Sequence, residues 1–470
     1  MQLFVQEILK ATGGTLLAGD PQSVITRIST DTRTLKAGDL YCALVGPHFD
    51  GHQFVEDAIK KGAKGILVSD ITLSLALPPF RVPESRYAGQ GGGNKNIIIH
   101  VSDTLKALGD MAHVWRKKFT KPVIAITGSS GKTSTKELLS LCLESHFKVH
   151  KTEGNLNNLV GVPLTLFQLE EECDVAIIEM GMNAFGEIAR LTEIASPTMG
   201  LITNVGAAHL EGVGSLEGVA KAKGELFLNL SPSAHALVNE DDPFIRAMPT
   251  RAKKLTYGFS PSADICAEKV SYRTHDAEVC VKTPLGKWNL TLPVTGEHHV
   301  SNLLACVAVC SLLKLSESQV QKGISGFSLG EKRGAETRLK KDIVLVNDCY
   351  NANPSSTHAA LKALSLKYPT QRKIAVLGEM LELGAQSSSL HQKTGNAARH
   401  LGISVLLALG DHAKDLAKGF NESQAHAFDN VESLNQKLQT LLVPGDVVLV
   451  KGSRGIRMER VVDYLKERMG

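Results

Sequence analysis

Aromatic residues make up only 5% of this 470-residue chain, with two Trp, seven Tyr and 14 Phe. No apolar run approaches the ~20 residues that cross a bilayer, so no membrane insertion is expected. No C-x-x-C pair occurs among the eight scattered cysteines, Cys42, Cys142, Cys173, Cys266, Cys280, Cys306, Cys310 and Cys349. That argues against a zinc site or a disulfide framework, and several of them lie inside apolar runs, as buried reduced thiols do. An excess of one charge is also missing: 52 basic against 48 acidic residues leaves +4, with no block of five or six like charges. Nucleic acid is therefore not an expected partner, and any polyanion should sit in a local pocket. The opening MQLFVQEILKATGG has no basic, then apolar, then small-residue pattern of an export signal, and a cytoplasmic location is expected.

What is present is ordinary globular composition, 43% hydrophobic and 21% charged, over a length that suggests two to four domains. Three regions differ in texture. Residues 1 to about 100 hold short strand-like pieces, such as Asp39 to Val45 and Gly65 to Ser69. The stretch Leu77 to Asn96, with Pro78, Pro79, Pro83 and a run of glycines, is a solvated loop by composition and one candidate linker. The apolar run Ile97-Ile98-Ile99 after it reads as one more strand, which places the domain boundary just beyond, at residue 101. Residues 102–327 show longer strand–helix alternation. They end with a hairpin signal around Pro284-Leu285-Gly286 and an apolar helix from about Ser301 to Leu313. In residues 328–470, strands Val344–Val346, Ile374–Leu377, Val405–Leu409 and Val447–Val450 alternate with helical stretches, a second βαβ series with a mostly parallel sheet. The fold class is α/β throughout.

The strongest chemical signal is Thr127-Gly128-Ser129-Ser130-Gly131-Lys132-Thr133-Ser134, which follows the apolar strand Pro122 to Thr127 and opens a helix. Gly128 and Gly131 let backbone N–H groups turn toward phosphate oxygens, at a helix end carrying partial positive charge. Lys132 can reach the outer phosphates and Thr133 can ligand Mg²⁺. Only two residues separate the first glycine from G-K-T, so the loop is a shortened variant. A Gly/Ser turn that merely caps a helix is the plainer alternative, but it leaves the lysine and hydroxyl in register without explanation. No N-K-x-D guanine signature follows, which favours ATP. A second strand, Val175 to Ile178, ends at Glu179, where a carboxylate beside a phosphate loop can hold magnesium. A third, Met199 to Thr203, runs into Asn204 and then His209, readable as a metal ligand or as an ordinary loop histidine.

Taken together, these residues resemble the Mur ligase family, which builds the peptide of bacterial cell-wall precursors. The resemblance covers essentially the whole chain. It rests on G-S-S-G-K-T, Glu179 in E-M-G-M, Asn204 and His209 in T-N-V-G-A-A-H-L, and Lys223 in A-K-A-K-G-E. It extends to Asn302 in G-E-H-H-V-S-N, Arg333 before Gly-Ala-Glu, and Asp348 in N-D-C-Y-N-A-N-P. Within the family, Asp31-Thr32-Arg33, Phe49-Asp50-Gly51-His52, Thr152 to Asn158, Leu377 to Gly384 and Lys451-Gly452-Ser453-Arg454 point to the member that joins D-alanyl-D-alanine to UDP-N-acetylmuramoyl-tripeptide. One departure is His299, where the family usually has Asn.

The resemblance implies three domains: a small N-terminal α/β domain for the UDP-substrate, a central mostly parallel ATPase domain of the P-loop type, and a C-terminal Rossmann-like domain. It implies ATP, two Mg²⁺ ions and an acyl-phosphate intermediate. Lys132, Glu179, His209 and Lys223 would be catalytic. Gly128 to Ser134, Asn302, Arg333 and Asp348 would hold ATP, while Thr133, Glu179, His209 and Lys223 would hold metal. A lysine ammonium cannot ligate a cation, so Lys223 would need the carbamate that the family's corresponding lysine carries. Neighbouring Lys221 keeps that assignment open, as does an ordinary lysine on a solvated helix face. Ser29, Thr30 and Arg33 would contact the uridine diphosphate, and Asn155 and Asn158 the muramoyl part. Asn351 and Asn353 would face the incoming dipeptide. A monomer is expected. Two other readings remain: a folylpolyglutamate synthase-like ligase, which would leave the first 100 residues unexplained, and a protein that binds ATP without turnover.

Overall fold

The computed structural model describes residues 1–70, 96–421 and 423–470. The Pro/Gly-rich stretch, except Asn96, lies outside the described residues. Two compact units make up the chain: Met1–Ala125 with Lys148–Gly181 and Ala189–Thr198, and Ile126–Phe147 with Met182–Ile188 and Met199–Gly470.

In the first unit a five-stranded sheet runs in the order Thr15–Ala18, Ile97–His100, Gly65–Val68, Leu40–Cys42, Ile28–Ser29. Only Thr15–Ala18 is antiparallel to its neighbour. The inner strands Leu40-Tyr41-Cys42 and Gly65 to Val68 are buried on both faces, which is why they read as unbroken apolar runs and not as alternation. One face packs Tyr41, Val55, Ile66, Val68 and Ile98 together. The expected strand from Asp39 to Val45 is in fact two: it stops at Cys42, and Val45–Gly46 turns away to pair with Phe49–Asp50. Helix Thr104–Lys118 follows, capped by Asp103, which accepts from Lys106 N at 2.9 Å. Its last lysine reaches back to Gln2 O and Glu7, so this unit continues past residue 101. Strands Val149–Lys151 and Val175–Glu179 pair in parallel in the same unit.

In the second unit, strands Met199–Ile202, His235–Asn239, Lys253–Gly258 and the start of Ile265–Tyr272 are parallel. Ile265–Tyr272, Ala277–Thr283 and Gly286–Leu292 then form an antiparallel ribbon whose last turn is Pro284-Leu285, as its sequence signalled. Helix Glu297–Leu312 begins a full turn before the expected Ser301, which brings His298 and His299 into its first turn.

The C-terminal sheet has six strands, Ala335–Arg338, Val344–Asp348, Val447–Lys451, Lys373–Gly378, Val405–Leu409 and Ala425–Phe428 in spatial order. The first pair is antiparallel and the rest are parallel. Apolar clusters cover both faces, one centred on Leu345, Ile374 and Val448 and the other on Ala375, Leu406 and Leu449. In this arrangement the carboxyl ends of the central strands collect Asp348, Gly378 and Lys451 at one edge, where open α/β sheets bind ligands. All eight cysteines are unpaired, and all but the half-buried Cys280 are buried. Among the described residues no helix is long and apolar enough to cross a membrane.

Candidate active site

The strand ending at Thr127 delivers the chain into a loop that only glycine permits at two points, Gly128 (φ 149°) and Gly131 (φ 80°). A Cβ at Gly128 would be driven into Thr203 Oγ1, so the close approach is as demanding as the dihedral. The segment after Met199–Ile202 clamps this loop. Thr203 Oγ1 donates to Ser130 O at 2.6 Å, Asn204 Oδ1 accepts from Ser130 N at 3.0 Å, and Asn204 Nδ2 donates to Ser130 O at 3.0 Å. Ser129 is buried, its hydroxyl donating to Gly206 O and accepting from Gly206 N, both at 2.9 Å. Its contribution is therefore to shape the loop through Gly206. Lys132 Nζ folds back onto Gly128 O at 2.6 Å, and no side chain caps helix Lys132–Glu144, so its N–H end is built for an anion.

Residues from the C-terminal segment reach the same loop. Arg333 Nη2 donates to Thr133 Oγ1 at 3.1 Å, and Asn353 Nδ2 donates to Ser129 O at 3.2 Å. Asn353 also caps helix Pro354–Lys367 through Ser356 N. Asn302, buried, stands beside Gly131, its Oδ1 2.9 Å from where a Cβ would be. Asp348 Oδ2 is 2.7 Å from Lys451 Nζ, which also donates to Asn351 O at 2.9 Å. Burial raises the Asp348 carboxyl, opposed by the charges of Lys451 and Arg333. Asn351 itself is exposed and its Oδ1 accepts from Ala352 N. The His299 ring lies tilted by 42° against that of His298 with ring centres 3.9 Å apart, and desolvation pushes both imidazoles down, His298 to about 4.

Two lysines of helix Leu216–Leu228 separate clearly. Lys221 is exposed and lies over the Phe185 ring at 5.4 Å, whereas Lys223 is 1% exposed. The solvated-face alternative is thereby overturned for Lys223: burial, then the neighbouring charge of Lys132, hold its ammonium pKa well below the usual lysine value. His209 sits in left-handed backbone (φ 56°) with Nδ1 2.6 Å from Glu382 Oε2, a close contact that is not an in-line hydrogen bond.

Within the first unit, Glu179 ends its strand buried. Its Oε1 accepts from Asn157 Nδ2 at 2.8 Å, while Oε2 is buried with no hydrogen-bond partner among the described residues. An orphaned carboxylate oxygen of this kind suits a cation. Among the described residues no three His, Cys, Asp or Glu side chains form a ready-made metal cluster. Magnesium sites commonly take one or two carboxylates and complete themselves with substrate phosphates, so this donor set fits. Asn157 was not singled out beforehand, although it lies between Asn155, which is exposed, and Asn158, whose Oδ1 caps the next helix through Gly161 N at 2.8 Å.

The same unit holds a cavity of about 480 Å³ lined by Thr30, Asp31, Thr32, Arg33, Tyr41, Phe49 and Phe54. Phe49 and Phe54 stack at 5.6 Å, and Arg33 pairs with Asp31 at 2.7 Å. Ser29 is buried outside that lining, its hydroxyl bonded to Asp31 backbone. Tyr41 and Phe54 were missed: Tyr41 lies inside a buried strand and Phe54 ends the short turn Gly51–Phe54, and neither position carries a local mark of facing a cavity.

Three family models match: the Mur ligase middle domain over residues 126–310, the Mur ligase glutamate ligase domain over 334–454, and the Mur ligase family catalytic domain over 24–116. The UDP-N-acetylmuramoyl-tripeptide–D-alanyl-D-alanine ligase of Synechocystis sp. is 37% identical over 94% of this chain and 92% of its own length. The Escherichia coli enzyme of the same name is 36% identical over 94% and 93%.

The chain belongs to the Mur ligase family.

A crystal structure of MurF from Acinetobacter baumannii superposes with a TM-score of 0.89 at 31% identity, covering 100% of this chain and 99% of that one. The protein is thus a three-domain α/β enzyme of a family that forms amide bonds with ATP, typically with Mg²⁺. A folylpolyglutamate-type reading accounts for the ATP-binding segment but not for the match over residues 24–116.

Proposed function

We propose that this Mur ligase joins D-alanyl-D-alanine to UDP-N-acetylmuramoyl-tripeptide, forming ADP and phosphate through an acyl phosphate, as a cytoplasmic monomer. The observation that carries the reading is the phosphate loop met from the C-terminal side by Arg333 at Thr133 and by Asn353 at Ser129. In this reading residues 1–101 hold the UDP-substrate, residues 102–327 hold ATP, and residues 328–470 bring the dipeptide and complete the nucleotide clamp.

The chemistry must bring a triphosphate against a carboxylate, and each pair of unit charges at 4 Å repels by about 1–4 kcal/mol at effective dielectrics of 80 to 20. The backbone N–H groups at the start of helix Lys132–Glu144 cradle the phosphates, in a loop whose Ser129 and Ser130 N–H groups are held by Asn204, and Lys132 swings from Gly128 O to the outer ones. Arg333 leaves the Thr133 hydroxyl and meets the transferring group. Asn302 and Asp348 hold the nucleoside side, Asp348 fixed by Lys451. The ligands proposed for two Mg²⁺ ions are Thr133, His209 and Lys223, the last as a carbamate, in the second unit, and Glu179 in the first. Those ions, when bound, screen the repulsion and stabilise charge on the transferring phosphoryl group. A buried lysine whose ammonium is disfavoured keeps the neutral amine that adds CO₂, which supports Lys223 over Lys221.

The dipeptide amine then attacks the acyl carbon and the tetrahedral intermediate releases phosphate. Thr30 and Arg33 at the 480 Å³ cavity take the uridine diphosphate. The decisive experiment follows ¹⁸O from the tripeptide carboxylate. Label should appear in inorganic phosphate only when ATP and both substrates are present, with a new amide by mass spectrometry. Unlabelled phosphate, or release that ignores the dipeptide, sinks the reading.

A further inference from the structure

We infer that Glu382 is a positioning residue for metal binding: it orients His209 from the C-terminal domain, so that His209 is ready to ligate only when that domain is docked. The inference rests on the reading of His209 as a metal ligand.

A short helix, Leu210–Val213, entered at His209, meets a loop here. His209 to Gly212 belongs to the segment matched by the middle-domain model, and Leu381 to Gly384 to the segment matched by the C-terminal one. The side chains approach through His209 Nδ1 and Glu382 Oε2 at 2.6 Å. The backbones are joined as well, because Glu211 N donates to Glu382 O at 3.1 Å. Both facing residues are held in left-handed backbone without being glycine, His209 at φ 56° and Glu382 at φ 63°. Such conformations cost on the order of 1 kcal/mol or more and persist where surrounding structure fixes them for a purpose. Gly384 (φ 54°) supplies a third left-handed residue two positions on, beside Glu211.

The chemistry gives the contact a direction. A carboxylate this close to Nδ1, once the ring turns into line with it, favours the tautomer with the proton on Nδ1 and leaves the Nε2 lone pair for a metal. Histidines that ligate metals ordinarily have such an outer partner, and its removal costs about 10–100-fold in metal affinity or activity. Here the partner comes from another domain, so docking of the C-terminal domain and readiness of the ligand become one event.

The test uses the full chain with ADP and Mn²⁺ as the probe, its affinity read by electron paramagnetic resonance, in wild type, Glu382→Gln, His209→Ala and the double variant. Glu382 is half-exposed and Gln is nearly isosteric, so folding should be kept; equal melting temperatures and equal ADP binding in EDTA verify that. Glu382→Gln should weaken Mn²⁺ about 10–100-fold, and the double variant should bind no more weakly than His209→Ala alone. Wild-type affinity in Glu382→Gln, or a loss that adds fully to that of His209→Ala, overturns the inference while leaving His209 a ligand. Unchanged Mn²⁺ affinity in His209→Ala removes the ligand reading itself, and the inference with it.

Discussion

The guanidinium of Arg333 lies 3.9 Å over the ring of Tyr350 while its Nη2 donates to Thr133. Tyr350 N donates in turn to Lys332 O at 3.0 Å, so ring and backbone together fix the Arg333 turn. A cation over an aromatic face contributes about 0.5–2 kcal/mol, more where water is excluded. Tyr350→Leu should therefore raise KM for ATP by about 3–30-fold, on the same estimate, and Tyr350→Phe should stay close to wild type. Steady-state kinetics on both variants decide it, and equal KM values in all three proteins would show that Arg333 needs no such support.

Gly128 offers a steric test. A Cβ there collides with Thr203 Oγ1 and adopts a dihedral that side chains rarely take. Gly128→Ala should destabilise the protein by about 1–3 kcal/mol and abolish ATP binding. Adding Thr203→Ala removes the oxygen and should restore part of the stability but not the binding, because Thr203 also holds Ser130 O. Urea melts and nucleotide titrations on the single and double variants would settle it; a fully additive double variant contradicts the collision.

Much of this site could be read before any coordinate. The loop from Gly128 to Ser134 is contiguous and sits between a strand and a helix, so its chemistry is local. Asn302, Arg333 and Asp348 carry no local signal and were reached only by resemblance. The partnerships themselves could not be read because they are long-range: Lys451, quoted only within a motif, pairs with Asp348 103 positions away, and Asn353, expected at the dipeptide, donates to Ser129 224 positions away. No periodicity encodes such pairs. Strand Ala335–Arg338 was missed because its pattern is a mostly exposed edge, and Ala425–Phe428 because it is short and of mixed polarity. The early start of helix Glu297–Leu312 hid behind Glu297 and two half-buried histidines, whose polarity reads as loop in sequence.

A pH dependence follows from the C-terminal surface. Hydrogen bonding from His412 Nδ1 at 2.8 Å, then from Gln392 and Ser388, lowers the Asp415 carboxyl to about 2. A carboxyl depressed below its unfolded value stabilises the fold above about 3.9, and the contribution fades as pH falls toward 2. Screening near the surface reduces the contribution to about 1 kcal/mol. Asp415→Asn should lower the urea midpoint at pH 7 and pH 5, with the gap to wild type narrowing at pH 3. A gap of constant size across that range would mean that the effect is packing and not charge.

Lys223 should set stability against function. A lysine amine 1% exposed, beside the charge of Lys132, is costly to the metal-free fold, because burial strips the group of water and no acidic partner faces it among the described residues. Lys223→Met keeps the length and apolar volume, so the metal-free protein should melt higher than wild type while ligase turnover is lost. Lys223→Ala leaves room instead, and short-chain carboxylic acids should restore part of its activity by placing a carboxylate where the carbamate would be. Lys221→Ala, which removes only an exposed cation over Phe185, should leave both quantities near wild type. Full turnover in Lys223→Met would end the carbamate assignment. Rescue of Lys223→Ala by alkylamines but not by carboxylates would show that the site needs the positive charge, and the second metal would then need another ligand.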